Sequence, residues 1–262
     1  MIVTQELKVE CSKEDDNLEL NKIYNMDCLE GMKDIADKSI DMILCDLPYG
    51  TTKAKWDIVI PFKDLWEQYE RIIKDNGAIV LFGSQPFTTD LINSNRKLFK
   101  YTLVWDKKFA GNFANAKKMP MKTHEDICVF YKKLPTYNPQ MIKRDKPIKT
   151  STGTTSSKTT NFGINNQFKD IVKTYDEKYP ISILDFKRKL GQKVFHPTEK
   201  PVPLCEWLIK TYTNENEVIL DNCIGSGTTA VACINTNRNY IGFELDAGYF
   251  NIANERINPL SS

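Results

Sequence analysis

Short apolar runs recur along the chain, and segments with apolar residues at helical spacing separate them. Met42–Cys45, Ala78–Phe82 and Val218–Leu220 are three such runs, and Phe62–Ile73 is one of the helical segments. An apolar run without alternation suits a strand that is buried on both faces of a parallel sheet. Strands that alternate with helices build such sheets, with the helices packed on the faces. At 262 residues, the chain is long enough for one α/β domain with an insertion.

A carboxylate, a proline and an aromatic ring follow the first of these predicted strands, at Asp46–Gly50 (Asp-Leu-Pro-Tyr-Gly). Ligands of open α/β sheets bind outside the carboxyl ends of the strands, so these side chains are expected at the mouth of a binding crevice. A simple Pro-Tyr-Gly turn would explain the same pentapeptide. The pentapeptide alone therefore does not distinguish a binding site from a turn, and other parts of the chain have to decide.

A glycine-containing loop follows the predicted strand near residue 220. Gly225 and Gly227 let the backbone pass close to a bound molecule and leave N–H groups unpaired at a helix start. Glu244 ends the next predicted strand 23 residues after Asp221, near the spacing of roughly 20 at which an acidic side chain binds ribose in dinucleotide folds. The residue directly before Thr228 is not a lysine, so the loop does not match a Walker-type ATP site. The pattern predicts a nucleoside ligand.

The charge of the chain is distributed unevenly. Residues 107–193 contain 19 Lys and Arg against 7 Asp and Glu, a net charge of +12. The whole chain carries only +2, so the rest of it carries −10. A basic block within an acidic chain favours a polyanionic partner, and nucleic acid is the first candidate.

The cysteine content and the hydropathy of the chain exclude several classes of protein. The seven cysteines are an odd number without a C-x-x-C pair, which predicts reduced thiols and a cytoplasmic protein. His124 and His196 are the only histidines, so no metal site is expected. No apolar run approaches the roughly 20 residues of a membrane helix, and the N-terminus lacks signal-peptide order. No association with a membrane is expected.

Three motifs together resemble the amino-group DNA methyltransferases. Asp46–Tyr49 is similar to their Asp-Pro-Pro-Tyr motif, Asp221–Thr229 resembles their S-adenosylmethionine loop, and His196–Pro201 (His-Pro-Thr-Glu-Lys-Pro) resembles the segment that precedes that loop. The order of catalytic motif, basic middle and cofactor loop resembles the permuted β class, and the resemblance covers Leu18–Ile257.

Two positions depart from the family pattern. Leu47 replaces the first proline of the catalytic motif, and Asn222-Cys223 stands where Pro-Phe is usual. The backbone carbonyl at Leu47 does not depend on the identity of its side chain. The Asn222-Cys223 departure affects how the loop would fit around the methionine end of the cofactor.

The resemblance implies a Rossmann-like methyltransferase fold with a mostly parallel seven-stranded sheet, plus an inserted basic target-recognition region. Residues 1–18 are expected to form an N-terminal arm and residues 19–106 the catalytic half of the methyltransferase domain. Residues 107–194 would hold a methyltransferase strand at about 125–131 together with the basic insertion. Residues 195–262 would form the cofactor-binding half.

The resemblance also implies roles for single residues. Catalysis would involve Asp46, Leu47, Pro48 and Tyr49. Glu244 would hold the ribose of S-adenosylmethionine, and Lys200 would pair with its methionine carboxylate. The implied cofactor-binding residues are Asp27, Cys28, Asp46, His196, Thr198, Lys200, Asp221, Cys223, Gly225, Gly227, Thr228 and Glu244.

The implied reaction is methyl transfer to an exocyclic amine of a base in double-stranded DNA. Asp46 and the carbonyl of Leu47 would each accept an N–H of the amine, and the extruded base would stack on Tyr49. Aspartate at the first motif position is, by resemblance, typical of adenine-N6 enzymes. N4-methylation of cytosine, an RNA substrate, a nicotinamide oxidoreductase and a non-catalytic DNA-binding module remain alternatives.

The basic insertion is the predicted DNA-recognition region, in which lysines hold phosphates and polar side chains read base edges. The candidate contacts are Asn112, Asn115, Lys117, Lys118 and Lys122. The resemblance implies two further partners, a second copy of the chain in a homodimer and a cognate restriction nuclease.

Overall fold

The computed structural model describes residues 18–52, 54, 57–111, 113–151, 172–187 and 199–260. The chain forms two compact units. The larger unit comprises the residues up to Asn138 and those from Ser182 onward, and the smaller unit is Pro139–Ile181. The predicted N-terminal arm lies outside the described residues, except for Leu18.

The described residues contain ten strands, eight of which form the sheet of the larger unit. In chain order the strands are β1 (Lys22–Tyr24), β2 (Ile40–Cys45), β3 (Ile73–Gly83), β4 (Phe99–Gly111), β5 (Lys122–Phe130), β6 (Ile142–Ser151), β7 (Val172–Lys178), β8 (Ile183–Asp185), β9 (Val218–Asp221) and β10 (Asn239–Phe243). The order across the large sheet is β1-β10-β9-β2-β3-β5-β4-β8. Strand β5 is antiparallel to both of its neighbours, and the other pairs are parallel.

The observed sheet confirms the predicted α/β fold with a mostly parallel sheet, but it has eight strands where seven were expected. The additional strand is β8, which pairs with β4 at the edge of the sheet. It is only three residues long, and Leu184 is its single buried side chain. So short an edge strand has no apolar periodicity that would distinguish it from a loop.

Among the described residues, six α-helices cover the two faces of the large sheet. They are α1 (Cys28–Gly31), α2 (Phe62–Ile72), α3 (Phe87–Ser94), α4 (Val202–Tyr212), α5 (Thr228–Asn235) and α6 (Ala247–Ile257). Side chains of α1, α2 and α3 belong to one buried apolar cluster, and those of α4, α5 and α6 belong to the other. The larger unit is therefore a three-layer α/β/α arrangement, as the alternating pattern predicts.

Helix α2 shows how the sequence produces this packing. Leu65, Trp66, Tyr69 and Ile72 recur at helical spacing and are all buried against the sheet. Complete burial of one such large apolar side chain contributes about 1.5–3 kcal/mol to the free energy of unfolding. These four side chains therefore hold α2 on the sheet, and α2 in turn fixes the end of the loop that precedes it.

The sheet order creates a crevice between β2 and β9. The chain passes from β2 through α2 to β3 in one direction along the sheet, and from β9 through α5 to β10 in the other. Strands β2 and β9 are parallel neighbours, with Ile43 opposite Leu220. Such a switch point leaves an opening at the carboxyl ends of the strands. Asp46, Asp221 and Glu244 end three neighbouring strands there.

The smaller unit contains the antiparallel pair β6 and β7. Ile148 lies opposite Tyr175, and the Arg144 Nε donates a hydrogen bond of 3.0 Å to the carbonyl of Glu177. Exposed lysines, including Lys143 and Lys146, give this unit a basic surface. Residues 152–171, between β6 and β7, lie outside the described residues. No helix in the described part of the chain is long and apolar enough to span a bilayer.

Candidate active site

A cavity of about 640 Å³ opens at the carboxyl edge of β2, β9 and β10. Its volume falls within the range of roughly 300–1,000 Å³ that is typical of small-molecule and cofactor sites. The predicted residues that line it are Asp27, Cys28, Asp46, Leu47, Pro48, Tyr49, Lys200, Asp221, Cys223, Gly225, Thr228 and Glu244. Motifs from both ends of the sequence therefore meet in one cavity of the larger unit.

Glu244 is held in place by backbone amides at one end of this cavity. Its Oε2 accepts a hydrogen bond of 2.9 Å from the Gly225 N–H, and its Oε1 accepts one of 2.8 Å from the Asp246 N–H. Burial raises the pKa of the Glu244 carboxyl above its usual value. An ionised carboxylate has about four acceptor positions, so two amides leave it able to accept ligand hydroxyls as well.

The turn before α1 is attached to the end of β10 beside Glu244. The Asn25 side-chain amide donates to the carbonyls of Glu244 and Leu245, at 2.8 and 3.1 Å. Asp27 caps α1 by accepting from the N–H of Leu29 at 2.8 Å. Cys28 is buried at the start of the helix. The predicted adenine-binding pair is thus adjacent to the predicted ribose-binding carboxylate.

Asp221 organises the glycine loop from the end of β9. Its Oδ2 accepts a hydrogen bond of 2.6 Å from the Thr229 hydroxyl, and its Oδ1 accepts one of 3.1 Å from the Cys223 N–H. Burial raises the pKa of Asp221 to about 6, although these hydrogen bonds favour the ionised form. Asn222, the departure from the family pattern, is buried and accepts a hydrogen bond from the Tyr69 hydroxyl of α2.

The two glycines of the loop have different surroundings. Gly225 lines the cavity with a φ of 56°, and an added Cβ would meet no atom within 4 Å. Gly227 lies outside the cavity lining, has a φ of 82°, and faces α6, where an added Cβ would lie 3.1 Å from the Ala253 Cβ. The structure therefore associates Gly227 with close packing between α5 and α6, a role that the sequence interpretation had not given it.

The catalytic motif forms the loop that leaves β2. The Tyr49 hydroxyl donates a hydrogen bond of 2.7 Å to Asp46 Oδ1. The Tyr49 ring is stacked on Phe87 of α3, with a centroid distance of 4.9 Å and an interplanar angle of 29°. Asp57 accepts from the N–H groups of Gly50 and Thr52 at 2.8 and 2.6 Å, which closes the loop. The tyrosine ring is thus held from outside the motif by Phe87, and the tyrosine hydroxyl orients the Asp46 carboxylate from within it.

Leu47 replaces the first proline of the family motif. Its side chain is only 4% exposed and packs in the buried apolar cluster that contains side chains of α1, α2 and α3. A leucine side chain at this position therefore anchors the loop by apolar packing. Leu47 directly follows Asp46 in the chain, and the predicted mechanism uses the Leu47 carbonyl and the Asp46 carboxylate as the two acceptors.

Lys200 lies between two carboxylates and is only 7% exposed. Its Nζ donates a short hydrogen bond to Asp46 Oδ2 and lies 3.2 Å from Glu125 Oε2. The sequence interpretation paired this lysine with the methionine carboxylate of a cofactor, and that pairing remains a prediction. The structure shows that protein carboxylates already neutralise the ammonium, as a buried charge requires.

Glu125 and Phe87 were not identified as site residues from the sequence. Glu125 comes from β5, and its Oε1 accepts a hydrogen bond of 3.1 Å from the Lys107 Nζ on β4. A charged residue just before the apolar run Ile127–Phe130 was the available signal. Using that signal requires knowing that β5 is antiparallel, because only then does its first half lie beside the carboxyl end of β3.

The described residues among the predicted DNA contacts lie in the connection from β4 to β5 and at the start of β5. Asn115 ends a short 3₁₀ turn, and Lys117 and Lys118 after it are exposed. Lys122 is half-buried, and its Nζ donates to the Ser84 hydroxyl. Burial lowers the pKa of Lys122. His196, Thr198 and Asn112, which complete the predicted sites, lie outside the described residues.

The arrangement unites two chemical capabilities. One part of the cavity has the Glu244 carboxylate beside the glycine loop, an arrangement suited to the ribose of a nucleoside. Another part has a charged acceptor beside an aromatic ring, suited to a planar group with an exocyclic amine. The Asp46 carboxylate and the Glu244 carboxylate both line the same cavity.

Comparisons with known proteins agree with this geometry. The model of the DNA methylase family N6_N4_Mtase matches residues 40–255. Type II methyltransferase M1.MboII of Moraxella bovis is 29% identical over 263 residues, covering 93% of this chain and 98% of that protein. DNA adenine methyltransferase YhdJ of Escherichia coli (strain K12) is 26% identical, covering 93% and 84%.

Solved structures show the same fold. The crystal structure of the M1.HpyAVI-SAM complex has a TM-score of 0.63 at 26% identity, covering 90% of this chain and 98% of that one. PvuII DNA methyltransferase, described as cytosine-N4-specific, has a TM-score of 0.61 at 16% identity, covering 93% and 92%. The family match spans Asp46, Lys200 and Glu244, and this chain therefore belongs to the DNA methylase family.

Proposed function

We propose that this DNA methyltransferase transfers a methyl group from S-adenosylmethionine to the exocyclic N6 amine of adenine in double-stranded DNA. The observation that carries the proposal is that Asp46 and Glu244 line one cavity, with Asp46 oriented by both Tyr49 and Lys200. A target amine at one end and a nucleoside cofactor at the other would then share a single enclosed space.

S-adenosylmethionine fits the donor set at the Glu244 end of the cavity. Glu244 would accept the ribose hydroxyls, with Asp27 and Cys28 bordering the adenine. Asp221 and Gly225 would lie near the methionine end. The M1.HpyAVI structure, a complex with SAM, has the same fold, which supports this cofactor.

The proposed chemistry requires an acceptor that localises the lone pair of the amine. This lone pair is delocalised into the base, which makes the nitrogen a poor nucleophile. The Asp46 carboxylate and the Leu47 carbonyl would each accept one N–H and direct the lone pair toward the methyl carbon. The lone pair of the amine would form the N–C bond as the S–C bond breaks, the electron pair of the S–C bond would stay on sulfur to give S-adenosylhomocysteine, and the nitrogen would release one proton to water. Catalysis of this kind depends on positioning.

Adenine is favoured because the acceptor is a charged aspartate, which polarises an amine more strongly than a hydroxyl would. The name of the relative YhdJ, a DNA adenine methyltransferase, supports the same base. Nucleoside mass spectrometry of DNA treated with the purified protein and S-adenosylmethionine tests the proposal. N6-methyladenine is the expected product, and N4-methylcytosine would overturn the assignment of the base.

The proposed partner is double-stranded DNA held by the basic segment between β4 and β8. The exposed Lys117 and Lys118 lie at the edge of the sheet that carries Asp46, which supports contact with the DNA backbone there. The type II names of relatives support pairing with a restriction nuclease. A homodimer and a cytoplasmic location complete the proposal, and the six described cysteines are free, in accord with a reducing compartment.

A further inference from the structure

Four charged side chains alternate in sign from β4 to the catalytic loop. Lys107 Nζ lies 3.1 Å from Glu125 Oε1, and Glu125 Oε2 lies 3.2 Å from Lys200 Nζ. Lys200 Nζ then contacts Asp46 Oδ2. Lys107 and Glu125 are each only 17% exposed at the side chain, and Lys200 is 7% exposed. The chain of charges is therefore largely shielded from water.

Lys200 has an apolar wall beside this chain of charges. Its Nζ lies 5.0 Å from the centroid of the Phe82 ring and 6.0 Å from that of Tyr49. An ammonium that has lost its water in such surroundings stays charged only if nearby carboxylates replace the lost hydration. The structure places two carboxylates, Asp46 and Glu125, against this one ammonium.

The two contacts of Lys200 differ in geometry. The contact with Asp46 is an aligned hydrogen bond. The contact with Glu125 is an ion pair in which, among the described residues, no hydrogen-bond donor is aligned with Oε2. Glu125 thus attracts the ammonium by charge and competes with Asp46 for it.

We propose that Glu125 is a positioning residue for methyl transfer, sharing the Lys200 ammonium with Asp46 so that the Asp46 carboxylate is oriented by Lys200 and still able to accept an N–H of the target amine. The inference rests on the proposed function and extends it to a residue outside the catalytic motif. Without the Glu125 charge, Lys200 would pair more strongly with Asp46, and the target amine would have to compete with that ion pair.

Other titratable groups surround the shared ammonium. Tyr49 donates to Asp46 from the catalytic loop, and Lys107 pairs with Glu125 from β4. The Cys205 thiol on α4 interacts electrostatically with Lys200 and Asp46, and Asp221 at the end of β9 interacts with Asp46. Asp46 and Glu125 are both ion-paired with Lys200.

The test compares Glu125→Gln, which keeps size and a hydrogen-bond acceptor but removes the charge, with Glu125→Asp, which keeps the charge. Glu70→Gln on the exposed face of α2 is the matched control, because it neutralises a glutamate far from the cavity. The kcat of Glu125→Gln should fall by on the order of tenfold or more, while affinity for S-adenosylhomocysteine stays within about twofold of wild type. Glu125→Asp should recover part of the rate, and Glu70→Gln should match wild type.

The pH profile separates a positioning role from a structural one. Burial lowers the pKa of Lys200, but the neighbouring carboxylates outweigh that effect and raise the pKa above its ordinary value of 10.5, so wild type should show no loss of kcat from this lysine below that pH. In Glu125→Gln one of the two charges that raise this pKa is absent, so the alkaline limb of kcat should move to lower pH. A folded Glu125→Gln with the wild-type kcat and pH profile would overturn the inference.

Two further measurements separate the role of Glu125 from the proposed methyl-transfer function. If Glu125→Gln does not fold, NMR of carbon-labelled lysine in the wild-type protein, with Lys200 assigned through Lys200→Arg, provides a direct readout. The pKa of Lys200 should lie above the ordinary value of 10.5, and a pKa below that value would contradict the shared pair. Absence of methyl transfer by wild type would count against the proposed function, whereas an active wild type with an unaffected Glu125→Gln counts only against Glu125.

Discussion

The Tyr49 hydroxyl lies 2.7 Å from Asp46 Oδ1 and donates a hydrogen bond to it, while the Tyr49 ring is stacked on Phe87. The tyrosine therefore orients the carboxylate of its own motif as well as presenting an aromatic face. The expectation from the sequence had given it the aromatic role alone. The stacked rings of Tyr49 and Phe87 connect the loop after β2 to helix α3, two elements whose contact the local sequence does not reveal.

Two substitutions at Tyr49 should separate these two roles. Tyr49→Phe keeps the ring and removes one hydrogen bond of about 1 kcal/mol, so kcat should fall only about fivefold. Tyr49→Ala also removes the stacking face, worth about 1–3 kcal/mol for a base, and should lose most of the activity. Methyl transfer to a duplex oligonucleotide measures both. Equal activities of the Phe and Ala variants would show that the ring is not used.

Removal of the Asp46 carboxylate should abolish methyl transfer without abolishing DNA binding. Asp46→Ala removes the charged acceptor of the amine and should lower kcat by on the order of 100-fold or more. The DNA contacts proposed here lie on other residues, so the DNA dissociation constant should change little. Rapid-quench methylation and a gel-shift titration give the two numbers, and substantial turnover by folded Asp46→Ala would contradict the mechanism.

Glu244→Ala should weaken binding of S-adenosylhomocysteine while leaving the fold intact. Loss of two ribose hydrogen bonds of about 1 kcal/mol each raises the dissociation constant roughly 30-fold. Burial raises the pKa of Glu244, so in wild type the affinity should begin to fall at a higher pH than an exposed glutamate would require. Calorimetry over a pH series checks both effects, and an unchanged dissociation constant would place the nucleoside elsewhere.

Asp221 should make the larger unit less stable as the pH rises. Its pKa is raised by burial to about 6 from 3.8, so the folded protein binds this proton more tightly than the unfolded chain does. The free energy of unfolding should therefore fall between about pH 4 and 6, by up to roughly 3 kcal/mol from this group.

Asp221→Asn tests this cost of an ionised buried carboxylate. Its amide can still accept from the Cys223 N–H and donate to the Thr229 hydroxyl. The variant should be more stable than wild type at pH 8, and the difference should shrink toward pH 4. Urea unfolding at the two pH values measures it. A difference of the same size at both would show that titration of Asp221 does not contribute.

Charge reversal at Lys117 and Lys118 should weaken DNA binding and flatten its salt dependence. Each phosphate contact that is lost reduces the slope of log K against log salt by about 1, so the double variant should lose about 2. Lys210→Glu, exposed on α4, controls for net charge and should change the slope little. An unchanged slope in the double variant would remove these two lysines from the interface.

Lys122 should behave differently from Lys117 and Lys118. It is half-buried, and its ammonium donates to the Ser84 hydroxyl at the end of β3. Lys122→Met should therefore lower the free energy of unfolding more than it changes the salt slope. Thermal unfolding together with the salt titration distinguishes the two effects, and a large change of slope with unaltered stability would contradict this expectation.

Local sequence predicts which residues reach the binding edge of the sheet. Asp46, Asp221 and Glu244 each end an apolar run, and carboxyl ends of parallel strands meet at one edge, so their convergence in one cavity is predictable. The bounds of α2, α3 and α6 likewise agree with helical spacing and the position of Pro86. Each of these inferences depends only on neighbours within a few positions.

Tertiary structure alone decided which charges meet. Glu125 and Lys200 are 75 residues apart, and they meet because β5 runs antiparallel between β3 and β4 and so reverses the edge to which its first residues point. Neither strand direction nor register is encoded in the local apolar pattern of β5. Lys200 is buried, and a buried ammonium needs nearby carboxylates to replace its lost hydration. Asp46 and Glu125 are its partners for that reason. The sequence by itself determined the ends of the strands, and the order and direction of those strands determined the ion pairs that hold Asp46.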